Sequence, residues 1–177
     1  WEPERGLLHN PAKLLLDPYA GAIDGGVTWG PEVYGHTVDA SWHGELEQRS
    51  DLDSRGAVPR GVVVDHAFDW GGDTPPGRSR SETVVYEAHV RNQTMLHPGV
   101  PEHLRGTYAG LAHPASVEHL TSLGVTAVEL LPVHAFTHEP HLVRRGMPNH
   151  WGYNTLGFMA PHAPYAAARD PQGVVDE

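Results

Sequence analysis

Apolar residues are grouped most clearly in the second half of the chain, where strand and helix patterns alternate. Residues 83–90 are rich in β-branched side chains and predict a strand. Within residues 114–123, three aliphatic side chains recur at helical spacing and a glycine follows. Residues 125–133 are apolar except for Glu129, which is typical of a strand buried on both faces. Together these segments predict a βαβ unit with two parallel strands and a right-handed crossover.

The first 80 residues show no comparable pattern, because short apolar runs alternate there with glycine- and proline-rich turns. Residues 69–80 lack apolar periodicity altogether, so we place a domain boundary in this linker. Near the other end, Asp170 followed by Pro171 predicts the start of a helix. This helix would begin close to the last residue, and the first residue is Trp1 rather than Met. We therefore interpret the sequence as an internal piece of a longer protein.

Charge and composition narrow the classes of function. The formal net charge is −10, without any lysine- or arginine-rich run, which argues against nucleic acids and anionic membranes as partners. No apolar stretch reaches the roughly 18 residues of a transmembrane helix. The absence of cysteine suits a cytoplasmic protein. No glycine-rich phosphate-binding motif occurs either, so we expect no nucleotide cofactor, and a neutral polar substrate such as a carbohydrate remains compatible.

The long loops after the predicted strands carry the residues best suited to chemistry, because α/β enzymes place their sites there. Aromatic rings stack on the C–H faces of sugars, and polar side chains bind sugar hydroxyls. The candidates in these loops are Trp151, Tyr153, Asn154, His134, Arg91 and Asn92. An alternative interpretation is that Trp151 and Tyr153 only pack their loop onto the rest of the molecule.

Two further groups of residues are weaker candidates. Glu87 and Glu129 lie in neighbouring predicted strands, and glycosidases use two carboxyl groups about 5 to 9.5 Å apart, but a structural role is favoured for both. The histidines of residues 134–141 do not have the spacing of a helical zinc motif, and Pro140 interrupts the segment. Because no cysteine is present to complete a site, we predict no metal.

Three stretches together resemble one family: NPAKLLLDPYA (10–20), VVYEAHVRNQTMLHPGVPEHLRGTYAGLAHPASVEHLTSLGVTAVELLPVHAF (84–136) and WGYNTLGFMAPHAPYAA (151–167). They are similar to glycogen debranching enzymes of the isoamylase type, in the α-amylase superfamily of glycoside hydrolases. The resemblance covers nearly the whole chain in order. It implies an α/β fold, in which residues 1–80 are the C-terminal part of a β-sandwich carbohydrate-binding module plus its linker. Residues 81–177 would be the first three strands of a (β/α)₈ TIM barrel, with the third strand just before or around Trp151.

The resemblance also assigns site residues. Tyr153 matches the family tyrosine that stacks on the sugar at the cleavage subsite, and Trp151 and Asn154 are weaker candidates for the same wall of the cleft. The catalytic carboxylates of the family lie on later strands, so no residue of this chain is assigned as catalytic. The sequence departs from the family pattern at Asn92-Gln93, where a glycine and an apolar residue are usual, and at His150, where a tyrosine is usual.

The resemblance implies a protein that hydrolyses α-1,6 branch linkages of glycogen or limit dextrin by a retaining mechanism, with α-glucans as its partners. The 177 residues alone are expected to be inactive, because the reacting carboxylates are missing. Two alternatives stay open: a glucan branching enzyme or trehalose-releasing hydrolase of the same superfamily, and a non-catalytic glucan-binding protein.

Overall fold

The computed structural model describes residues 1–177 as short helices and strands joined by long loops. The six strands form three separate sheets of two strands each. The strands are β1 (Ala22–Asp24), β2 (Arg60–Val62), β3 (Val85–Ala88), β4 (Ala127–Leu130), β5 (His134–Phe136) and β6 (Thr155–Pro161). The α-helices are α1 (Val90–Thr94), α2 (Tyr108–Leu111), α3 (Pro114–Ser122), α4 (Pro140–Val143) and α5 (Pro171–Asp176). No helix is both long and apolar enough to cross a membrane.

The two parallel strands of the predicted βαβ unit and the helix between them are confirmed. Strands β3 and β4 pair in parallel, with Val85 opposite Ala127 and Glu87 opposite Glu129. Helix α3 lies between them in the sequence. The His113 side chain caps it by accepting a hydrogen bond from the Ala115 N–H at 3.2 Å, which satisfies one of the free donors of the first turn.

The apolar run of residues 125–133 is interrupted, which corrects the prediction of one strand buried on both faces. Strand β4 ends at Leu130, and Pro132, which cannot donate a hydrogen bond to a ladder, separates it from β5. Val128 and Leu130 remain partly exposed. The single predicted strand is therefore two strands in two different sheets.

The third parallel strand, which the resemblance places just before or around Trp151, is absent, and this prediction was wrong. Residues 144–154 form turns and bends. The next strand, β6, runs antiparallel to β5 in its own sheet, and the pairing register shifts on both sides of Ala135. The structure thus contains two parallel strands rather than the first three strands of a barrel.

The β-sandwich predicted for residues 1–80 is not confirmed, because this part contains a single antiparallel pair, β1 with β2. Strand β1 also contacts β6 and α5. The side chain of Gln172 accepts a hydrogen bond from the Asp65 N–H at 2.8 Å and donates one to the Asp65 carbonyl at 3.0 Å. These contacts connect the two sides of the predicted boundary at residues 69–80, and the boundary itself stays a prediction.

The main buried cluster lies where the βαβ unit meets the β5–β6 hairpin. It is formed by Val90, Phe136 and Tyr165, with Tyr108, Leu111 and Val133 packed around it. The Tyr108 hydroxyl donates to the Val133 carbonyl at 2.8 Å and accepts from the His162 N–H at 3.0 Å. Burial raises the pKa of Tyr108 well above its usual value, so the hydroxyl stays protonated and donates.

Helix α5 begins as the sequence predicts. Asp170 is its N-cap and accepts a hydrogen bond from the Gly173 N–H at 2.9 Å, and Pro171 occupies the first turn. Because a proline at this position removes an N–H that would lack a partner anyway, the two residues together define the helix start.

Candidate functional site

The loop between α4 and β6 carries the three residues proposed for substrate binding. Trp151 is 55% exposed and Tyr153 is 73% exposed, while Asn154 is half-buried. The Asn154 carbonyl accepts a hydrogen bond from the Thr137 N–H at 3.0 Å, which fixes the end of the loop to β5. Neither the Trp151 indole N–H nor the Tyr153 hydroxyl bonds to another residue of the chain. Two aromatic rings with free polar atoms therefore face outward from one loop.

Two buried residues hold this loop in place. The Asn149 side chain accepts from the Gly152 N–H at 2.9 Å and donates to a Glu139 carboxylate oxygen at 3.1 Å. Gly152 has a φ of 81°, and a Cβ at this position would lie 3.0 Å from the Phe136 ring. A residue with a side chain would therefore meet both backbone strain and a steric clash, so a glycine is required between the two exposed rings.

The opposite side of the loop is fixed to the carboxyl end of β3 through His89. Its Nδ1 accepts from the N–H groups of Arg91 and Asn92 at 3.1 and 3.4 Å. The proton is therefore on Nε2, which lies 2.8 Å from the His150 carbonyl and donates to it. The His89 ring is buried and stacks on the His150 ring at 4.6 Å. The Trp151 ring meets the edge of His150 at 4.9 Å.

Tyr165 also contacts His89 and the backbone of His150. Its hydroxyl lies 3.1 Å from His89 Nε2 and 3.4 Å from the His150 carbonyl. Burial raises the pKa of Tyr165, so the hydroxyl remains a donor at neutral pH. For His150, burial and then the neighbouring His89 and Arg91 lower the pKa. The His150 ring is therefore held toward its neutral form, near the Arg91 guanidinium.

The two departures from the family pattern are in contact. The Asn92 amide nitrogen lies 3.2 Å from His150 Nε2, and both residues are exposed beside Trp151. Of the other loop candidates, Arg91 follows His89 at the start of α1. His134 lies apart in β5, where its ring packs 5.7 Å from Phe158. The structure therefore places Asn92 beside the loop that carries Trp151 and Tyr153, which we call the aromatic loop, whereas His134 is not in contact with it.

The Phe136 ring packs against both Gly152 and His162. The His162 ring stacks on Phe136 at 3.6 Å, and its Nδ1 accepts a hydrogen bond from the Phe136 N–H at 3.4 Å. Burial, with smaller effects from His138 and Arg91, lowers the pKa of His162 from 6.5 to about 4. His162 is therefore a neutral structural residue at physiological pH. It stacks on the Phe136 ring, which in turn lies next to Gly152.

The two strand carboxylates are neighbours. Glu87 and Glu129 are register partners in β3 and β4, and both are exposed. Side chains of register partners in adjacent strands point to the same face, and the strands lie about 4.8 Å apart. Neither carboxylate bonds to another residue of the chain, and the pair lies within the strands rather than in the loop that carries Trp151. The structural role favoured from the sequence stays a prediction.

The histidines of residues 134–141 are not gathered into a metal site. The structure contains no group of three or more histidine, cysteine, aspartate or glutamate side chains that could hold a metal ion. His138 Nδ1 instead accepts a hydrogen bond from the Asn149 N–H at 3.0 Å. His138 is thus part of the support of the aromatic loop.

Sequence reasoning missed His89, Asn149 and Tyr165, which position the loop without being exposed. Only His89 carries a local signal, since it lies at the carboxyl end of a predicted strand, where side chains enter the site of an α/β protein. The roles of the other two depend on contacts across the fold.

The fold is similar to an α/β region of glycoside hydrolases. The pullulanase type I of Bacillus subtilis strain 168, solved in complex with maltose, superposes with a TM-score of 0.52 and 25% identity. The superposition covers 88% of this chain and 19% of that chain. No protein-family model matches the sequence.

Relatives in sequence are more specific and confirm the resemblance to glycogen debranching enzymes. The chain is 46% identical over all 177 residues to a "Glycogen operon protein GlgX homolog" of Mycobacterium bovis. It is 45% identical over the same length to a "Glycogen debranching enzyme" of Cronobacter sakazakii. The chain spans only 24% and 26% of these two proteins. It is thus a relative of glycogen debranching enzymes that corresponds to about a quarter of their length.

Proposed function

We propose that this chain is part of an enzyme that hydrolyses α-1,6 branch linkages of glycogen or limit dextrin. The observation that carries the proposal is the pair of outward-facing rings, Trp151 and Tyr153, on a loop anchored from both sides. Similarity over the whole chain to proteins named glycogen debranching enzymes supports the substrate class. A pullulanase that binds maltose supports the same class from its fold.

In this proposal the loop supplies an aromatic wall for the sugar and the reacting groups lie elsewhere in the protein. Tyr153 stacks on the C–H face of a glucose ring, while Trp151 extends the wall and the half-buried Asn154 offers its amide to sugar hydroxyls. Hydrolysis follows a retaining double displacement, which needs one carboxylate as nucleophile and one carboxylic acid as proton donor. We assign neither role to Glu87 or Glu129, and we expect the 177 residues alone to be inactive.

The test is substitution of the two rings in the full-length protein that contains this chain. Tyr153→Ala is expected to weaken binding of maltoheptaose about tenfold, since a stacking contact is worth about 1 to 1.5 kcal/mol. Trp151→Ala should have a smaller effect in the same direction. Tyr19→Ala is the matched control, because Tyr19 is 79% exposed and its hydroxyl bonds to no residue of the chain. Equal affinities for wild-type protein and Tyr153→Ala would contradict the proposal.

Analysis of the products separates the reactions that remain compatible with this fold. Hydrolysis of branch linkages releases linear chains from limit dextrin. A branching enzyme would create new branches, a trehalose-releasing hydrolase would give trehalose, and a non-catalytic glucan-binding protein would give no product. We expect linear chains.

A further inference from the structure

Residues far from the aromatic loop in sequence hold the segment that precedes it. The Trp29 indole N–H donates to the His138 carbonyl at 2.7 Å, across 109 positions of the chain. Trp29 packs beside Tyr34 and Trp42, with ring centroids 6.0 and 6.5 Å away. The Arg144 guanidinium lies 4.2 Å from the Trp42 ring centre and also donates to the Ser41 carbonyl. The N-terminal part of the chain therefore contacts residues on both sides of α4.

From His138 the hydrogen bonds continue to the exposed rings. His138 Nδ1 accepts from the Asn149 N–H at 3.0 Å, and Asn149 Oδ1 accepts from the Gly152 N–H at 2.9 Å. Gly152 lies between Trp151 and Tyr153 in the sequence. Three consecutive hydrogen bonds thus connect the Trp29 indole to the peptide that sets the direction of both rings.

We propose that Trp29 is a positioning residue for glucan binding and that it acts through His138 and Asn149 on the Trp151–Tyr153 loop. The Trp151 and Tyr153 polar atoms bond to nothing in the chain, so the direction of the two rings depends on the backbone and on packing. A loop already held in its binding conformation loses less entropy when the ligand binds, and its affinity is higher for that reason. The glucan part of this inference rests on the proposed function.

The hydrogen bond can be removed while an aromatic ring is retained. In the full-length protein, Trp29→Phe deletes the indole N–H and keeps a ring against Tyr34 and Trp42. We expect a three- to tenfold weaker affinity for maltoheptaose, which corresponds to one or two ordered side chains. The KM for limit dextrin should rise while kcat changes little. Trp70→Phe is the control, because Trp70 is exposed and its indole N–H bonds to no residue of the chain.

A spectroscopic measurement reports the loop independently of activity. With fluorotryptophan incorporated, the fluorine NMR signal of Trp151 is assigned from its disappearance in Trp151→Phe. We expect this signal to shift and broaden in Trp29→Phe and to stay unchanged in Trp70→Phe. An unchanged Trp151 signal in Trp29→Phe would overturn the positioning role. A changed signal with unaltered glucan affinity would support the positioning role and overturn glucan binding by this loop.

Substitutions at His138 test the middle of the path. His138→Asn keeps an acceptor at the δ position, so the bond from the Asn149 N–H can form again, whereas His138→Leu removes it. We expect the Trp151 signal and the glucan affinity to be near wild type in His138→Asn and altered in His138→Leu. Equal behaviour of the two variants would show that the hydrogen bond does not transmit the effect.

Discussion

At the scale of single residues, the conformation of the aromatic loop depends more on small and buried residues than on its exposed rings. Gly152 adopts a φ of 81° next to the Phe136 ring. His162 stacks on the same ring. The exposed side chains are free to contact a ligand because these hidden residues fix the backbone that carries them.

Gly152→Ala is expected to destabilise the full-length protein by about 2 to 4 kcal/mol, from left-handed backbone strain and overpacking against Phe136. Glucan affinity should fall with it, because the peptide between the two rings moves. Gly124→Ala is the matched control: its φ is 79°, but nothing lies within 4 Å of the added Cβ. It should cost about 1 kcal/mol, from backbone strain alone. Chemical denaturation compares the two variants, and equal costs would contradict the clash with Phe136.

His162 predicts a specific pH dependence of stability. Its pKa falls from 6.5 to about 4 on folding, so between these values the unfolded chain binds a proton that the folded chain does not. Stability is complete above pH 6.5 and is lost as the pH falls toward 4, by about 2 to 3 kcal/mol in total.

The His162 contribution is measured as the difference in unfolding free energy between wild type and His162→Asn across this pH range. Asparagine keeps an acceptor for the Phe136 N–H but does not titrate. The difference in unfolding free energy between the two proteins should therefore become smaller as the pH falls from 6.5 to 4. A pH-independent gap would mean that His162 is not kept neutral by burial.

At the scale of elements, the β3–β4 pair has two different faces. Val128 and Leu130 of β4 line a cavity together with Val117 and Leu120 of α3. Because side chains alternate along a strand, Glu87 and Glu129 point to the opposite face. The two carboxylates are side by side there, and like charges in direct register are destabilising.

Glu129→Gln should therefore stabilise the full-length protein by about 0.5 kcal/mol at neutral pH, with a smaller effect in high salt. Thermal unfolding of the two proteins at low and high salt is the measurement. Glu118→Gln on α3 is the control, because its neighbours one helical turn away are uncharged. A loss of stability in Glu129→Gln would instead indicate a cationic group between the two carboxylates.

Elements with local signals were predictable from the sequence, and elements that depend on distant partners were not. Helix α3 and the start of α5 follow from apolar spacing and capping residues. The antiparallel pairing of β6 with β5 has no local signal. The apolar residues on both sides of Pro132 predict one continuous strand, although the structure separates β4 from β5 there. In the site, the resemblance indicates Tyr153, but the anchors His89 and Tyr165 contact each other across 76 positions.

At the scale of the whole molecule, the buried core is small for the length of the chain. Only 28 of 177 residues are buried, and strand residues such as Val85 and Val128 remain exposed. Three sheets of two strands leave every strand with an unpaired edge, and such edges favour association with other chains.

We therefore expect the 177 residues, expressed alone, to self-associate and to unfold over a broad temperature range. Size-exclusion chromatography with light scattering and calorimetry are the measurements. A longer chain that continues past Glu177 is the comparison and should unfold more sharply, since added strands cover these edges. A monodisperse monomer with one sharp transition would contradict this expectation.

The double hydrogen bond between Asp65 and Gln172 matters for anyone who wishes to exchange parts between related enzymes. Replacing residues 1–80 with the equivalent part of another protein would remove a partner of α5, together with the contacts of β1 with β6. A chimera that loses Gln172 leaves the Asp65 N–H and carbonyl without this partner, whereas the residue type at position 65 matters less, because both bonds use its backbone. Exchanges that keep a glutamine at position 172 and the backbone course around residue 65 should give functional hybrids more often than exchanges that change either.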